Sequence, residues 1–156
     1  MNNKYVLFIS NPDRKEKNFS LAHATKDRIK INSVELKILY YVDHSKMPVY
    51  LNIADILLLT SKWEGSPNTV KEAMACNLPV VATKVGDIEY LFRNTEGYYY
   101  TDPDPDKLAE KISFILSSNL IPNGRQRIME LELDSISIAN KIIEIYEEIN
   151  NINELL

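Results

Sequence analysis

Short apolar runs alternate with segments of helical spacing along almost the whole chain, and this alternation limits the possible folds more than any other feature. Tyr5 to Ser10 (YVLFIS) closes on Asn11, Pro12 and Asp13, which reads as a buried strand entering a loop. Phe19, Leu21, Ala22, Thr25 and Ile29 approximate one helical face, and Val34 to Leu39 (VELKIL) alternates as a second strand. The pattern then repeats: Pro48 to Ile53 predicts a short helix, Ile56 to Thr60 a strand, Pro67 to Cys76 a helix and Pro79 to Thr83 a strand. Asp87 to Phe92 predicts a short helix, Tyr98 to Thr101 a last strand, and Pro105 to Leu116 a helix. From Ile136 to Ile149 the tail is helical, with Ile138, Ile142, Ile145, Tyr146 and Ile149 on one face. Apolar strands separated by helices imply an α/β, doubly wound parallel sheet covered on both faces by right-handed crossovers. Ligands of such sheets lie at the carboxyl ends of the strands, here loops 10–18, 40–46, 61–67 and 83–87.

Composition narrows the function. With 156 residues and 45% hydrophobic side chains, one core can form without disulfide or metal staples. The single cysteine, Cys76, fits a reducing compartment, and no apolar run approaches the roughly 20 residues of a membrane span. The polar start, Met1 to Lys4, does not resemble an export leader, so a cytoplasmic location is expected. Four scattered glycines exclude GxGxxG and Walker A loops. Two histidines and one cysteine exclude HExxH and Cys/His zinc clusters, so no metal is expected. The net charge of −4 is uneven: residues 1–50 carry +4 and the remainder −8. That surplus is too small for a nucleic-acid surface, although Arg14, Lys15 and Lys17 could neutralise a compact anion such as a diphosphate rather than form a solvated turn.

Ser61 to Pro79, SKWEGSPNTVKEAMACNLP, is the most informative stretch. Ser66 fits a helix N-cap and Pro67 the first helical position, which would leave the amides of Asn68 and Thr69 as unpaired donors at the positive end of a helix dipole. Glu64 precedes that helix, and Glu72 stands one turn in, on the face of Asn68 and Thr69, so both carboxylates can border one crevice. Val70, Ala73 and Met74 form the opposite, apolar face. An anion site beside two hydroxyl-binding carboxylates suits a sugar nucleotide, against the simpler reading of each Glu as a solvated helix residue.

EGSPNTVKE, from Glu64 to Glu72, resembles the Glu, seven residues, Glu signature of retaining glycosyltransferases of family 4, also called group 1. The surrounding ADILLLTSKWEGSPNTVKEAMACNLPVVATKVGD is similar to the most typical block of that family, and NPDRKEKNFSLAH, DPDPDKLAEKI and IANKIIEIYEEI resemble its opening loop, late turn and final helix. The resemblance implies one Rossmann-like half of a GT-B fold, the half that binds a UDP-, GDP- or ADP-sugar without a metal or other cofactor. It implies that Glu72 holds the ribose hydroxyls and Glu64 a hydroxyl of the transferred sugar, with Lys17 on the phosphates. Gly65, Ser66, Asn68 and Thr69 would face the sugar and diphosphate. The family's arginine position holds Pro12 here, with Arg14 nearby as a substitute, and the Gly-Gly after the fourth strand is Val85-Gly86.

The same resemblance divides the chain into a nucleotide-sugar-binding domain, 1–135, and a helix and tail, 136–156, expected to pack on an amino-terminal acceptor-binding domain absent from these residues. The expected activity is hexosyl transfer to a glycan or lipid-linked acceptor in surface polysaccharide biosynthesis, by a full-length enzyme peripheral at the inner membrane face. The isolated half should transfer poorly. The alternative is a non-catalytic nucleotide-sugar-binding subunit or an inactive remnant. With its partner domain absent, the last helix is expected to self-associate through Ile138, Ile142, Ile145 and Tyr146. A phosphate-receiver module fails because Thr60 and Ser61 stand where the third strand would need an acid. Asp102-Pro103-Asp104 imitates a metal-binding DxD, but Asp104 before Pro105 reads as an N-cap. His23 reads as structural or solvated, Cys76 as a small core residue, and Trp63 and Tyr98 to Tyr100 as core or rim.

Overall fold

A computed structural model describes residues 3–154 of the chain. Met1 and Asn2 of the expected polar start, and Leu155 and Leu156 of the tail, lie outside the described residues. Five strands, β1 (Lys4–Ile9), β2 (Val34–Leu39), β3 (Ile56–Leu59), β4 (Val80–Thr83) and β5 (Tyr98–Thr101), form one sheet in the order β2-β1-β3-β4-β5. Every pair is parallel, with Val6 beside both Leu36 and Ile56, Leu57 beside Val80, and Val80 beside Tyr98. The helices are α1 (Phe19–Arg28), α2 (Met47–Ile53), α3 (Asn68–Ala75), α4 (Ile88–Phe92), α5 (Pro105–Ser117), α6 (Gly124–Glu130) and α7 (Ser135–Glu154).

The two-residue period of the strands sorts their side chains into two cores. Val6, Phe8, Ile56, Leu58 and Val81 point to one face, where Leu21 and Ala22 of α1 and Leu108 and Ile112 of α5 cover them. Leu7, Leu57, Leu59, Val80 and Ala82 point to the other, covered by Leu51, Val70, Met74, Leu91 and Ile128 of α2, α3, α4 and α6. Because both faces are covered, the central strands read as unbroken apolar runs. The architecture is the α/β, Rossmann-like sheet expected.

Helix α6 has no counterpart among the expected elements, since GRQRIME is short and carries one apolar anchor, Ile128, that packs into the core of the second face. Arg125 ties it down, the backbone amide donating to Asn77 Oδ1 (2.8 Å) and Nε to the Ala75 carbonyl (2.7 Å). The DxD imitation resolves as the cap expected: Asp104 Oδ1 accepts from the amides of Asp106 (2.8 Å) and Lys107 (3.3 Å). Among the described residues, no group of His, Cys, Asp and Glu could hold a metal ion, and no helix is long and apolar enough to cross a membrane.

Candidate functional site

The strand order changes direction between β1 and β3, and a doubly wound sheet opens its ligand crevice at such a switch point. The loops leaving those two strands are laced together there. Thr60, buried at the end of β3, donates from Oγ1 to the carbonyls of Lys17 (2.9 Å) and Asn18 (3.1 Å), and the Lys62 amide donates to the Glu16 carbonyl (2.8 Å). Thr83, at the end of β4, donates to the Ser61 carbonyl (2.6 Å). These bonds bring Lys17 and Glu64 into contact: Lys17 Nζ donates to Glu64 Oε1 at 2.6 Å, and Ser61 Oγ donates to the same oxygen at 2.7 Å. Both side chains are largely covered, at 19% and 15% exposure, so the pair is held in place rather than solvated. Among the described residues no donor lies on Oε2, which remains able to accept from a ligand hydroxyl.

Beside this pair runs an open groove of about 480 Å³, lined by Asn11, Arg14, Lys17, Tyr40, Met47 and Thr69 among others. Arg14 and Lys17 of one loop thus meet Thr69, some fifty residues further on, around one groove. The Arg14 guanidinium is held by Glu16, with Nε 2.6 Å from Oε1, and a backbone hydrogen bond followed by this contact keeps the Glu16 carboxyl below its usual range. The first amides of α3, those of Asn68 and Thr69, have no protein acceptor among the described residues, whereas the Val70 amide bonds to the Pro67 carbonyl (3.1 Å). They are the donors an anion needs at a helix start.

Glu72 stands one turn further along α3, where its Oε1 lies 3.0 Å from Nε2 of His44 in the loop after β2. Met47 lines both the open groove and a smaller cavity beside Glu72. Glu72 lines that smaller cavity, whereas Glu64 is held by Lys17 and Ser61 and lines neither cavity. The apolar face of that helix is buried as expected, with Val70, Ala73 and Met74 at full burial.

Three details correct the sequence reading. Pro67, not Ser66, occupies the N-cap position, and no side chain caps α3. The Ser66 hydroxyl instead donates to Asp87 Oδ2, because the tight Val85-Gly86-Asp87 turn lies against the 64–66 backbone. The Asp87 amide completes this clamp by donating to the Gly65 carbonyl (3.1 Å), so Gly65 and Ser66 shape the loop and line none of the cavities described. Cys76 is half-buried rather than in the core, and it lines the cavity beside Glu72. His44, which the sequence reading used only to exclude zinc, touches Glu72, a contact that no local pattern could signal because 28 positions separate them. His23 and Trp63 remain at the surface, with His23 Nδ1 3.1 Å from Asp27 in its own helix.

Five parallel strands covered by helices on both faces define an α/β domain of Rossmann-like type. The profile of the family described as glycosyl transferases group 1 matches residues 2–130, and the chain belongs to that family. It is 36% identical, over 61 residues, to the lipopolysaccharide core biosynthesis mannosyltransferase LpsB of Rhizobium meliloti (strain 1021), covering 39% of this chain and 17% of that protein. Its fold is similar to sucrose-phosphate synthase from Thermosynechococcus elongatus, with TM-score 0.85 and 21% identity, over 96% of this chain and 46% of the other. It is also similar to Anabaena Alr3699/HepE, solved in complex with UDP and glucose, with TM-score 0.71 and 21% identity, over 94% of this chain and 49% of that one. The chain thus spans less than half the length of each of these proteins.

Proposed function

We propose that this chain is the donor-binding half of a retaining glycosyltransferase, moving a hexose from a nucleotide-diphosphate sugar to a glycan or lipid-linked acceptor of a surface polysaccharide. The observation that carries this reading is the convergence of Arg14, Lys17, Thr69 and the unpaired start of α3 on one groove at the switch point. As the bond between sugar C1 and the diphosphate oxygen breaks, negative charge grows on the leaving diphosphate. Cations and amides already fixed around it stabilise that charge more than the ground state. Glu64 Oε2 accepts from a sugar hydroxyl and Glu72 from the ribose. No protein nucleophile is assigned, because attack from the leaving-group face requires none.

Calorimetric titration of the folded chain with UDP-, GDP- and ADP-glucose tests the reading, and the absence of binding by all three overturns it. Glu72→Ala is expected to weaken the bound donor roughly tenfold or more, about 1.4 kcal/mol or above, since hydrogen bonds to a charged group contribute about 1.5–3 kcal/mol. Equal affinity in the variant returns Glu72 to an ordinary surface role. A nucleotide-sugar-binding subunit without transfer activity needs the same groove. Transfer that appears only when an amino-terminal domain of a relative is added assigns the chain to a transferase.

A further inference from the structure

We propose that a second groove, separate from the one assigned to the donor, binds the phosphate group of a phosphorylated acceptor, with Lys15 and Lys62 as its principal contacts. The sequence reading gathers Arg14, Lys15 and Lys17 around one anion, and the fold parts them. Lys17 lines the groove of about 480 Å³ with Thr69. Lys15 instead lines a groove of about 620 Å³ together with Lys62, Asn18 and Phe19. Arg14 is the one residue that lines both, so the two grooves are neighbours. The anion site stands on these residues alone, and its role for an acceptor rests on the donor reading above.

Lys15 and Lys62 are exposed, and among the described residues neither has a carboxylate within 4.0 Å, whereas most of the other lysines and arginines have one. A chain of net charge −4 has acids to spare for pairing, yet it sets two unpaired cations on one groove. Their backbones are fixed. The Lys62 amide donates to the Glu16 carbonyl (2.8 Å), and the turn that carries Lys15 is braced by the Lys17 amide on the Arg14 carbonyl (3.0 Å) and the Asp13 amide on Asn11 Oδ1 (2.9 Å). Asp13 is the only carboxylate on the lining, since Glu16 is taken by Arg14, and Asp27 by His23 (3.1 Å). Ser20 Oγ donates to Asn18 Oδ1 (3.1 Å), which leaves Asn18 Nδ2 as a donor without an acceptor among the described residues. A phosphate monoester carries close to two negative charges and three terminal oxygens, enough to engage both ammonium groups and this amide. A carboxylate has one charge and two oxygens. The groove has room beyond the phosphate for an attached polyol or sugar, beside the Phe19 ring, which packs edge-on against Phe8 at 5.1 Å.

NMR of the ¹⁵N-labelled chain saturated with UDP, titrated with sn-glycerol 3-phosphate, tests the site. The amides of Lys15, Asn18 and Lys62 are expected to shift along one saturating curve, with acetate binding about fivefold more weakly or worse. Lys62→Gln is expected to weaken glycerol 3-phosphate about fivefold or more, the factor an ammonium about 4 Å from one negative charge supplies in water, and to leave UDP affinity unchanged in calorimetry. Lys15→Gln should weaken glycerol 3-phosphate to a similar extent. Sedimentation with phosphatidylcholine vesicles, with and without phosphatidylglycerol, separates the two sources of phosphate. Binding that requires phosphatidylglycerol and is lost in the double variant assigns the site to a lipid headgroup. Binding of the soluble ester alone, or vesicle binding that the double variant retains, assigns it to a water-soluble acceptor. Shifts confined to Asn68 and Thr69, no shifts, acetate binding as tightly as the ester, or unchanged ester affinity in Lys62→Gln each overturn the site. Failure of UDP to bind removes the donor reading, and the same titration without UDP still decides the second groove.

Discussion

Gly86 shows how a residue remote from the ligand can decide whether the site exists. Its φ of +53° lies in the left-handed region, and a Cβ there would run into the Gly65 carbonyl oxygen and come within 2.9 Å of the Glu64 carbonyl oxygen. The backbone of the acidic loop is tied down where Thr83 holds the Ser61 carbonyl and the Asp87 amide holds the Gly65 carbonyl. Gly86→Ala is therefore expected to destabilise the chain by about 1–3 kcal/mol, the cost of a strained backbone residue. It should also displace Glu64 from Lys17. Urea denaturation measures the first effect and calorimetry with UDP-glucose the second. A variant with unchanged stability and affinity would mean that the 64–66 loop can shift freely. The Lys17 and Glu64 pair belongs to the same scale: each residue is a common surface type, and only their 2.6 Å contact makes them a unit.

Among the elements, α7 starts on a carboxyl whose pKa the fold lowers. Asp134 accepts from the amides of Ile136 and Ser137, both at 3.0 Å, and from the Ser137 hydroxyl at 2.5 Å. The Ser137 hydroxyl, then its amide, lower the Asp134 pKa from its ordinary value of 3.8. A carboxyl depressed in the folded state contributes stability above its unfolded value and loses that contribution as pH falls through the folded one. The first turn of α7 is thus expected to be well formed above about pH 4 and to fray below it. Amide exchange of Ile136 and Ser137 followed from pH 6 to pH 3 checks this, and Asp134→Asn should flatten the profile. Helix α3, like α1, α2, α4 and α6, has no side-chain cap.

For the whole molecule, the open question is what covers α7. Ile138, Ile142, Ile145 and Tyr146 are exposed along one side of this 20-residue helix, at spacings of three and four that form a continuous stripe. We expect the chain to self-associate through this stripe. Light scattering across a concentration series should show growing mass, and Ile142→Lys with Ile145→Glu should abolish the growth. A single monomeric mass at high concentration for the unaltered chain excludes it.

The order of strands and helices, the all-parallel sheet and the buried face of α3 were legible in the residues. Hydrophobic periodicity is a local signal, and both faces of this sheet are covered by elements adjacent in sequence. Local spacing also placed Glu64 and Glu72 around the start of one helix. The helix cap was misread because the Ser66 hydroxyl donates to Asp87, 21 positions away, instead of accepting from the first amides of its own helix. Helix α6 escaped because a single buried Ile128 sets no period. The His44 contact, the Lys17 pair and the cavity at Cys76 join segments from separate strands. Their geometry follows from which strands are neighbours and how far each loop reaches. The sequence alone determined which segments become strands and which acids flank the start of α3. Only the tertiary structure decided which of them meet, because contact across a crevice depends on the sheet order that separates its walls and not on distance along the chain.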